Sequence, residues 1–224
     1  MRDGQHARVH HLLSRPQAGK TLFARLLSEF LLLKNGAVVA FDINLKEPSL
    51  LDYLPDITET AEIENTFGKM QLMDRLIIDD RIAKVIDLGF HAFDEFFKMT
   101  EEIGFLKEAA RRNVAPVILY MPGPDRVSVR GHDMLRRQVP ASKLIVIDNE
   151  FVVRGEMPAG LDQGRMLYLA ALPTFLKTYI DRPNFSFTDY LRQEKDSSTE
   201  LHEWIRSNYL GFRELDQNLT LQGS

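Results

Sequence analysis

The sequence predicts an α/β fold: a doubly wound, mostly parallel sheet with helices on both of its faces. Three observations lead there. Short apolar runs recur at 7–13, 37–42, 83–88, 115–121 and 143–148, and they lack strict alternation, as strands buried on both faces do. Longer segments with helical periodicity separate them, the order expected of strands feeding crossover helices. No internal repeat, low-complexity block or Gly/Ser/Pro-rich linker divides the chain, so a single domain over 1–224 is expected, with a C-terminal helical extension at about 192–224.

Taken in order, residues 7–13 (ARVHHLL) form the first strand, with His10 and His11 facing opposite sides. A polar turn over 14–19 leads to a helix from about Lys20 to Lys34, stopped by Asn35-Gly36. That helix is apolar almost all round (Leu22, Phe23, Leu26, Leu27, Phe30, Leu31), which predicts deep burial. Residues 37–42 (AVVAFD) make a strand ending at an acid. Pro48 and Pro55 interrupt the stretch after it, and 68–78 (GKMQLMDRLII) reads as a short helix or strand. The third strand is 83–88 (AKVIDL). A helix from about Phe93 to Arg112 comes next, with Phe93, Phe96, Phe97, Ile103, Leu106 and Ala110 along one face. Strands at 115–121 and 143–148 flank a helix around 127–137, and a further strand near 166–172 runs through Pro173 into a helix over 174–181. Ser197-Ser198-Thr199-Glu200 has the form of a capping box before an amphipathic segment with Leu201, Trp204, Ile205 and Phe212.

Composition narrows the function classes. Hydrophobic residues make up 44% of the chain and charged residues 27%, enough for a substantial core. Twenty-eight basic against thirty-two acidic side chains leave a formal charge of −4, which argues against a surface devoted throughout to polyanions. A local basic patch from Arg111-Arg112, Arg126, Arg130 and Arg136-Arg137 stays compatible with DNA as a partner. The absence of cysteine excludes disulfides, thiolate metal sites and a cysteine nucleophile, and it suits a reducing compartment. No window approaches the roughly 18 apolar residues of a membrane span. No apolar signal core follows Met1, so a cytoplasmic location is expected.

The segment that carries chemistry is Ser14-Arg15-Pro16-Gln17-Ala18-Gly19-Lys20-Thr21, between the first strand and the first long helix. A phosphate loop has the form G-x-x-x-x-G-K-[ST] in that setting. Its backbone N–H groups cradle phosphates, its lysine reaches the β and γ oxygens, and its hydroxyl binds Mg²⁺. Gly19, Lys20 and Thr21 match this form, while Ser14 replaces the leading glycine.

With these residues in their order, the chain resembles the deviant Walker ATPases of the ParA and MinD class, within the wider SIMIBI group of P-loop NTPases. Arg15 falls at that family's signature lysine, and Pro16 and Gln17 at its two glycines. Phe41-Asp42-Ile43-Asn44 is similar to its D-x-D segment, and Ile86-Asp87-Leu88-Gly89 to its Walker B strand end. Ile147-Asp148-Asn149 resembles the strand end whose Asn reads adenine, and Leu172-Pro173 the proline-containing base loop. The size and the segment Phe185–Leu191 look most like the plasmid transfer and stability proteins of the TraL and StbB kind.

The resemblance implies ATP and Mg²⁺ as cofactors. Nucleotide would be bound by Arg15, Gln17, Ala18, Gly19, Lys20, Thr21, Leu22, Asn44, Asn149 and Pro173, and the metal by Thr21, Asp42 and Asp87. Lys20, Asp42 and Asp87 would form the catalytic set. It further implies a nucleotide-dependent homodimer with Arg15 near the interface, a protein partner, and a role in partition, positioning or plasmid transfer. Three departures point toward impaired hydrolysis. Pro16 lacks an N–H and the freedom of a glycine, Gln17 carries a Cβ, and Asn44 puts an amide where the family has an acid. The same departures support an alternative: an interaction protein that keeps the fold without using nucleotide.

Overall fold

The computed structural model describes residues 7–14, 18–43, 50–89, 92–140, 143–154, 156–161, 165–183, 185–193 and 199–221. In chain order the elements are β1 (Arg8–Ser14), α1 (Lys20–Asn35), β2 (Val38–Asp42), α2 (Leu50–Tyr53), β3 (Thr58–Thr60) and α3 (Thr66–Ile77). Next come β4 (Ala83–Asp87), α4 (Phe93–Ile103), α5 (Phe105–Arg111), β5 (Ala115–Met121) and α6 (Arg126–Gln138). The chain continues through β6 (Leu144–Asn149), β7 (Arg165–Leu169), α7 (Thr174–Ile180), α8 (Phe187–Arg192) and α9 (Glu200–Leu221).

The strands join in one sheet of order β3-β2-β4-β1-β5-β6-β7, and every pairing among them is parallel. β1 is thus the central strand, and the register sets Leu12 beside Asp87 and Asp42 beside Asp87. Successive residues of each strand feed two cores. Leu12, Val85, Leu119 and Ile147 face α1, α8 and α9, whereas Val9, Ile86, Ile118 and Leu144 face α3, α4, α5 and α6. Both faces are covered, which is why the apolar runs do not alternate.

α9 belongs to the first of these cores. Phe212 meets Phe23 edge-on at 5.2 Å and Phe30 at 5.6 Å, and Leu201, Trp204, Ile205 and Tyr209 are buried with them. At the far end of the same contact Asp216 pairs with both Arg8 and Lys34. Among the described residues no helix is long and apolar enough to cross a membrane.

The structure corrects four local expectations. The helix expected over 93–112 is two helices. Gly104 adopts φ 67°, ψ 38°, a left-handed conformation that ends α4 and costs glycine little. The break turns the apolar face, so Phe105 and Ala109 are buried while Ile103, Leu106 and Ala110 are exposed. The three-residue β3 has no counterpart in the sequence reading, because a strand that short leaves no periodic signal. The strand expected near 166–172 ends at Leu169. Finally, the cap of α9 is Thr199, whose Oγ1 accepts the N–H of His202; Glu200 is the first helical residue rather than the third.

His10 and His11 do face opposite sides, His10 toward Leu31 and Lys34 of α1 and His11 against Phe96 and Phe105, and both are buried. Burial pushes the His10 imidazole down to about 4, with Arg8 adding to the effect, and burial with His10 alongside pushes His11 down to about 3. Below pH 6.5 the unfolded chain therefore takes up protons that the fold refuses, so stability falls as pH falls toward 4. Each histidine contributes about 1.4 kcal/mol per pH unit in that window. Chemical denaturation at pH 7.5 and 5.5 should show a loss of about 2–3 kcal/mol in total. A variant with His10→Gln and His11→Gln should lose most of this slope; an unchanged slope would place the titrating groups elsewhere.

Candidate functional site

The site assembles at the carboxyl ends of β1, β2 and β4. Gly19, at φ 77°, turns the chain into α1, whose first turn holds no acidic residue and whose cap position, a glycine, has no side chain to bond the helix start. The N-terminus of a sixteen-residue helix favours an anion at its start. Lys20 is the first residue of that helix, and Thr21 the second.

Both side chains turn to the end of β4. Thr21 Oγ1 donates to Asp87 Oδ2 at 2.8 Å, and Lys20 Nζ lies 3.7 Å from Asp87 Oδ1. The second distance is an ion pair and too long for a hydrogen bond, so Oδ1 stays buried with no hydrogen-bond partner among the described residues. Asp42 lies beside Asp87 through the β2–β4 register, and its Oδ2 accepts the N–H of Leu50 at 2.8 Å, tying α2 to the site. Burial pushes the Asp87 carboxyl above its usual range, Lys20 and the Thr21 hydroxyl pull it back, and Asp42 pushes it up again. Two buried carboxylates, a hydroxyl and one lysine hold this balance by mutual proximity, and a divalent cation would relieve it.

The donor set suits Mg²⁺, a hard cation that takes oxygen ligands and is usually held by one or two carboxylates plus phosphates and waters. Among the described residues no group of three or more His, Cys, Asp or Glu forms a metal cage of its own.

Asn149, at the end of β6, has a task the sequence did not suggest. Its Nδ2 donates to the carbonyl of Ala18 at 2.8 Å and lies 3.3 Å from Met121 Sδ, while its Oδ1 accepts the N–H of Phe151 at 3.1 Å. The amide expected to read a base thus grips the backbone of the loop that leads into α1. Ala18 is buried beneath it. A side chain at residue 19 would place its Cβ 3.6 Å from the same Nδ2, ordinary contact, so the glycine is required there by its positive φ.

Leu22 is half-buried and packs on the core beneath α1. Pro173 stands at the start of α7, on a loop whose hydrogen bonds run to other elements: Trp204 Nε1 donates to the Ala170 carbonyl at 2.8 Å, and Ala171 N–H donates to Glu150 at 2.9 Å. Arg15, Gln17 and Asn44 lie outside the described residues.

A second group went unnoticed in the sequence. Arg25 and Glu29, one turn apart on the buried side of α1, hold the segments beyond β7. Arg25 donates to the Ile180 carbonyl at 2.9 Å with its guanidinium 3.7 Å over the Tyr53 ring, and Glu29 accepts from Ser186 Oγ and Thr188 N–H. A pair of opposite charges at i, i+4 inside an otherwise apolar helix was the available signal. Of the basic residues, Arg111 and Arg112 both pair with Glu108, while Arg126, Arg130 and Arg137 form no ion pair among the described residues.

No family model matches the chain, and no curated protein matches it. Among solved structures the chain is similar to one in the MinC:MinD cell division protein complex of Aquifex aeolicus, at 16% identity and a TM-score of 0.49, covering 94% of this chain and 96% of that one. It is also similar to a gluconokinase from Sinorhizobium meliloti, at 14% identity and a TM-score of 0.33, covering 97% of each. Both likenesses are too distant to transfer an activity or a partner. A seven-stranded parallel sheet whose central strand runs through Gly19-Lys20-Thr21 into a helix is a P-loop NTPase-like α/β fold.

Proposed function

We propose that this protein binds ATP with Mg²⁺ at the Ala18–Thr21 loop and acts as a nucleotide-dependent switch of the ParA and MinD kind. The observation that carries the reading is the meeting of Lys20, Thr21 and Asp87 at the N-terminus of α1. Lys20 lies close enough to exchange Asp87 for a phosphate oxygen, and the N–H groups at the start of α1 would bind the same anion. Thr21 Oγ1 would ligate Mg²⁺, with Asp87 and Asp42 ordering its waters, and the ion would neutralise charge between the β and γ phosphates. Asn149 would act as a positioning residue by holding the Ala18 carbonyl. The reading extends to a homodimer formed on nucleotide, with Arg15 near its interface, in the cytoplasm, and to a protein partner or DNA that responds to the bound state.

The test is calorimetric titration with ATP and ADP, with and without Mg²⁺, alongside sizing of the oligomer. Saturable binding strengthened by Mg²⁺ is the expected result. Absence of binding at millimolar nucleotide would leave the alternative, an interaction protein using the fold alone, for which Pro16, Gln17 and Asn44 speak.

Hydrolysis should be slow. Asn44 cannot take a proton and holds a cation less strongly than a carboxylate, so transition-state stabilisation suffers more than binding. Steady-state phosphate release should fall below the usual enzymatic range of roughly 1–10³ per second. Asn44→Asp should raise it if the missing acid is what limits turnover. Rapid turnover by the unmodified chain, lost in Lys20→Ala, would show that the amide is no obstacle.

A further inference from the structure

Helix α6 packs on β5 through Ser128, His132 and Leu135, with the Tyr120 ring stacked on His132 and its hydroxyl donating to the Ser128 carbonyl at 2.8 Å. Its outward positions carry Arg126, Arg130, Arg136 and Arg137 and a single acid, Asp133, in a chain whose formal charge is −4. None of these five side chains forms an ion pair or a hydrogen bond among the described residues. Arg136 and Arg137 stand in the last turn, where the helix dipole favours cations, but Arg126 opens the first turn, where it does not. Two apolar side chains share the outer face: Val127 is 56% exposed and Met134 59%.

Helical geometry sorts these residues into two stripes. At about 100° per residue, Arg126, Arg130 and Arg137 fall within about 40° of one another, and Met134 and Val127 lie about 40–60° to one side of Arg130. Gln138 continues the apolar side and, with Arg137, borders a groove whose facing wall on α4 and α5 includes Phe97 and the exposed Leu106. Glu101 stands on that wall without forming an ion pair with Arg137. A basic stripe and an apolar stripe thus run side by side along the thirteen residues of α6, and the apolar one ends against Leu106.

We propose that the outer face of α6 docks an acidic amphipathic helix of a partner protein, its carboxylates on Arg126, Arg130 and Arg137 and its apolar side on Val127, Met134 and Leu106. Arginine takes a carboxylate through two parallel N–H donors, and an amphipathic helix laid along a groove uses charge and apolar contact together. Nucleic acid fits less well, because Asp133 would face phosphates and Met134 would gain nothing from a sugar–phosphate backbone. No residue of the loop into α1 takes part, so docking needs no nucleotide.

The probe is a helical peptide about as long as α6, with glutamates along one stripe and leucines along the next, titrated calorimetrically against the full chain without nucleotide. It should bind saturably and weaken several-fold as salt rises from about 0.05 to 0.3 M. A peptide with lysine for every glutamate, and another with alanine for every leucine, should each bind about tenfold more weakly or worse. Arg126→Glu, Arg130→Glu and Arg137→Glu together should weaken the acidic peptide by about tenfold or more, and Met134→Asp by about three- to tenfold. All four positions are exposed, and circular dichroism checks that the fold is kept. No saturable binding, equal affinity for the lysine peptide, or indifference to the triple glutamate variant overturns the proposal. Equal affinity for the alanine peptide overturns its apolar half, and tighter binding of a short DNA duplex than of the acidic peptide overturns the protein partner.

Discussion

Lys20→Ala should weaken ATP binding about ten- to a hundredfold, the ratio expected when a charge-assisted contact worth about 1.5–3 kcal/mol is removed. The Nζ that lies 3.7 Å from Asp87 belongs to the first residue of α1, and no other lysine or arginine pairs with Asp87 among the described residues. Its loss also removes the strongest influence opposing burial at Asp87, whose carboxyl would rise further and bind a cation less readily at neutral pH. The Mg²⁺ dependence of affinity should therefore shrink along with the affinity itself. Isothermal titration in the presence and absence of Mg²⁺ reads both, with circular dichroism confirming the fold. An unchanged dissociation constant would put the nucleotide away from Lys20 and end the proposed function.

Phe212→Ala should cost about 3–5 kcal/mol of folding stability, the range for deleting a buried aromatic ring. Phe212 is fully buried between Phe23 and Phe30 of α1, with Tyr209 alongside. Small domains are stable by roughly 5–15 kcal/mol, so the variant should stand near the edge of folding. The consequence reaches the site, because the same helix holds the Ala170 carbonyl through Trp204 and the same α1 begins at Lys20. Guanidinium denaturation measures the loss, and a shift of less than about 1 kcal/mol would mean that α9 docks loosely on a core complete without it.

Much of the fold was legible because its signals are local. A strand covered on both faces writes itself as an unbroken apolar run, and β1, β2, β4, β5 and β6 fall within a residue or two of those runs. The Gly-Lys-Thr triplet is equally local, since the turn, the helix start and the lysine lie within three residues. Asp42 and Asp87 were legible as acids ending apolar strands. That they lie side by side results from β2 pairing with β4 and not with β1, a choice no sequence window contains.

What the sequence alone determined about this protein is therefore its strand and helix inventory, its parallel character and the chemistry offered by its first loop. The tertiary structure decided the rest, for two physical reasons. Short or broken elements are settled by neighbours: β3 exists because β2 has a free edge to pair, and Gly104 breaks a helix whose periodicity runs on through it. Polar side chains, in turn, take whichever partner the packing brings within hydrogen-bond reach, and burial makes that partner obligatory. So Asn149 holds Ala18 from 131 positions away, Trp204 holds Ala170, Arg25 holds Ile180, and His11 is buried against Phe96 and Phe105.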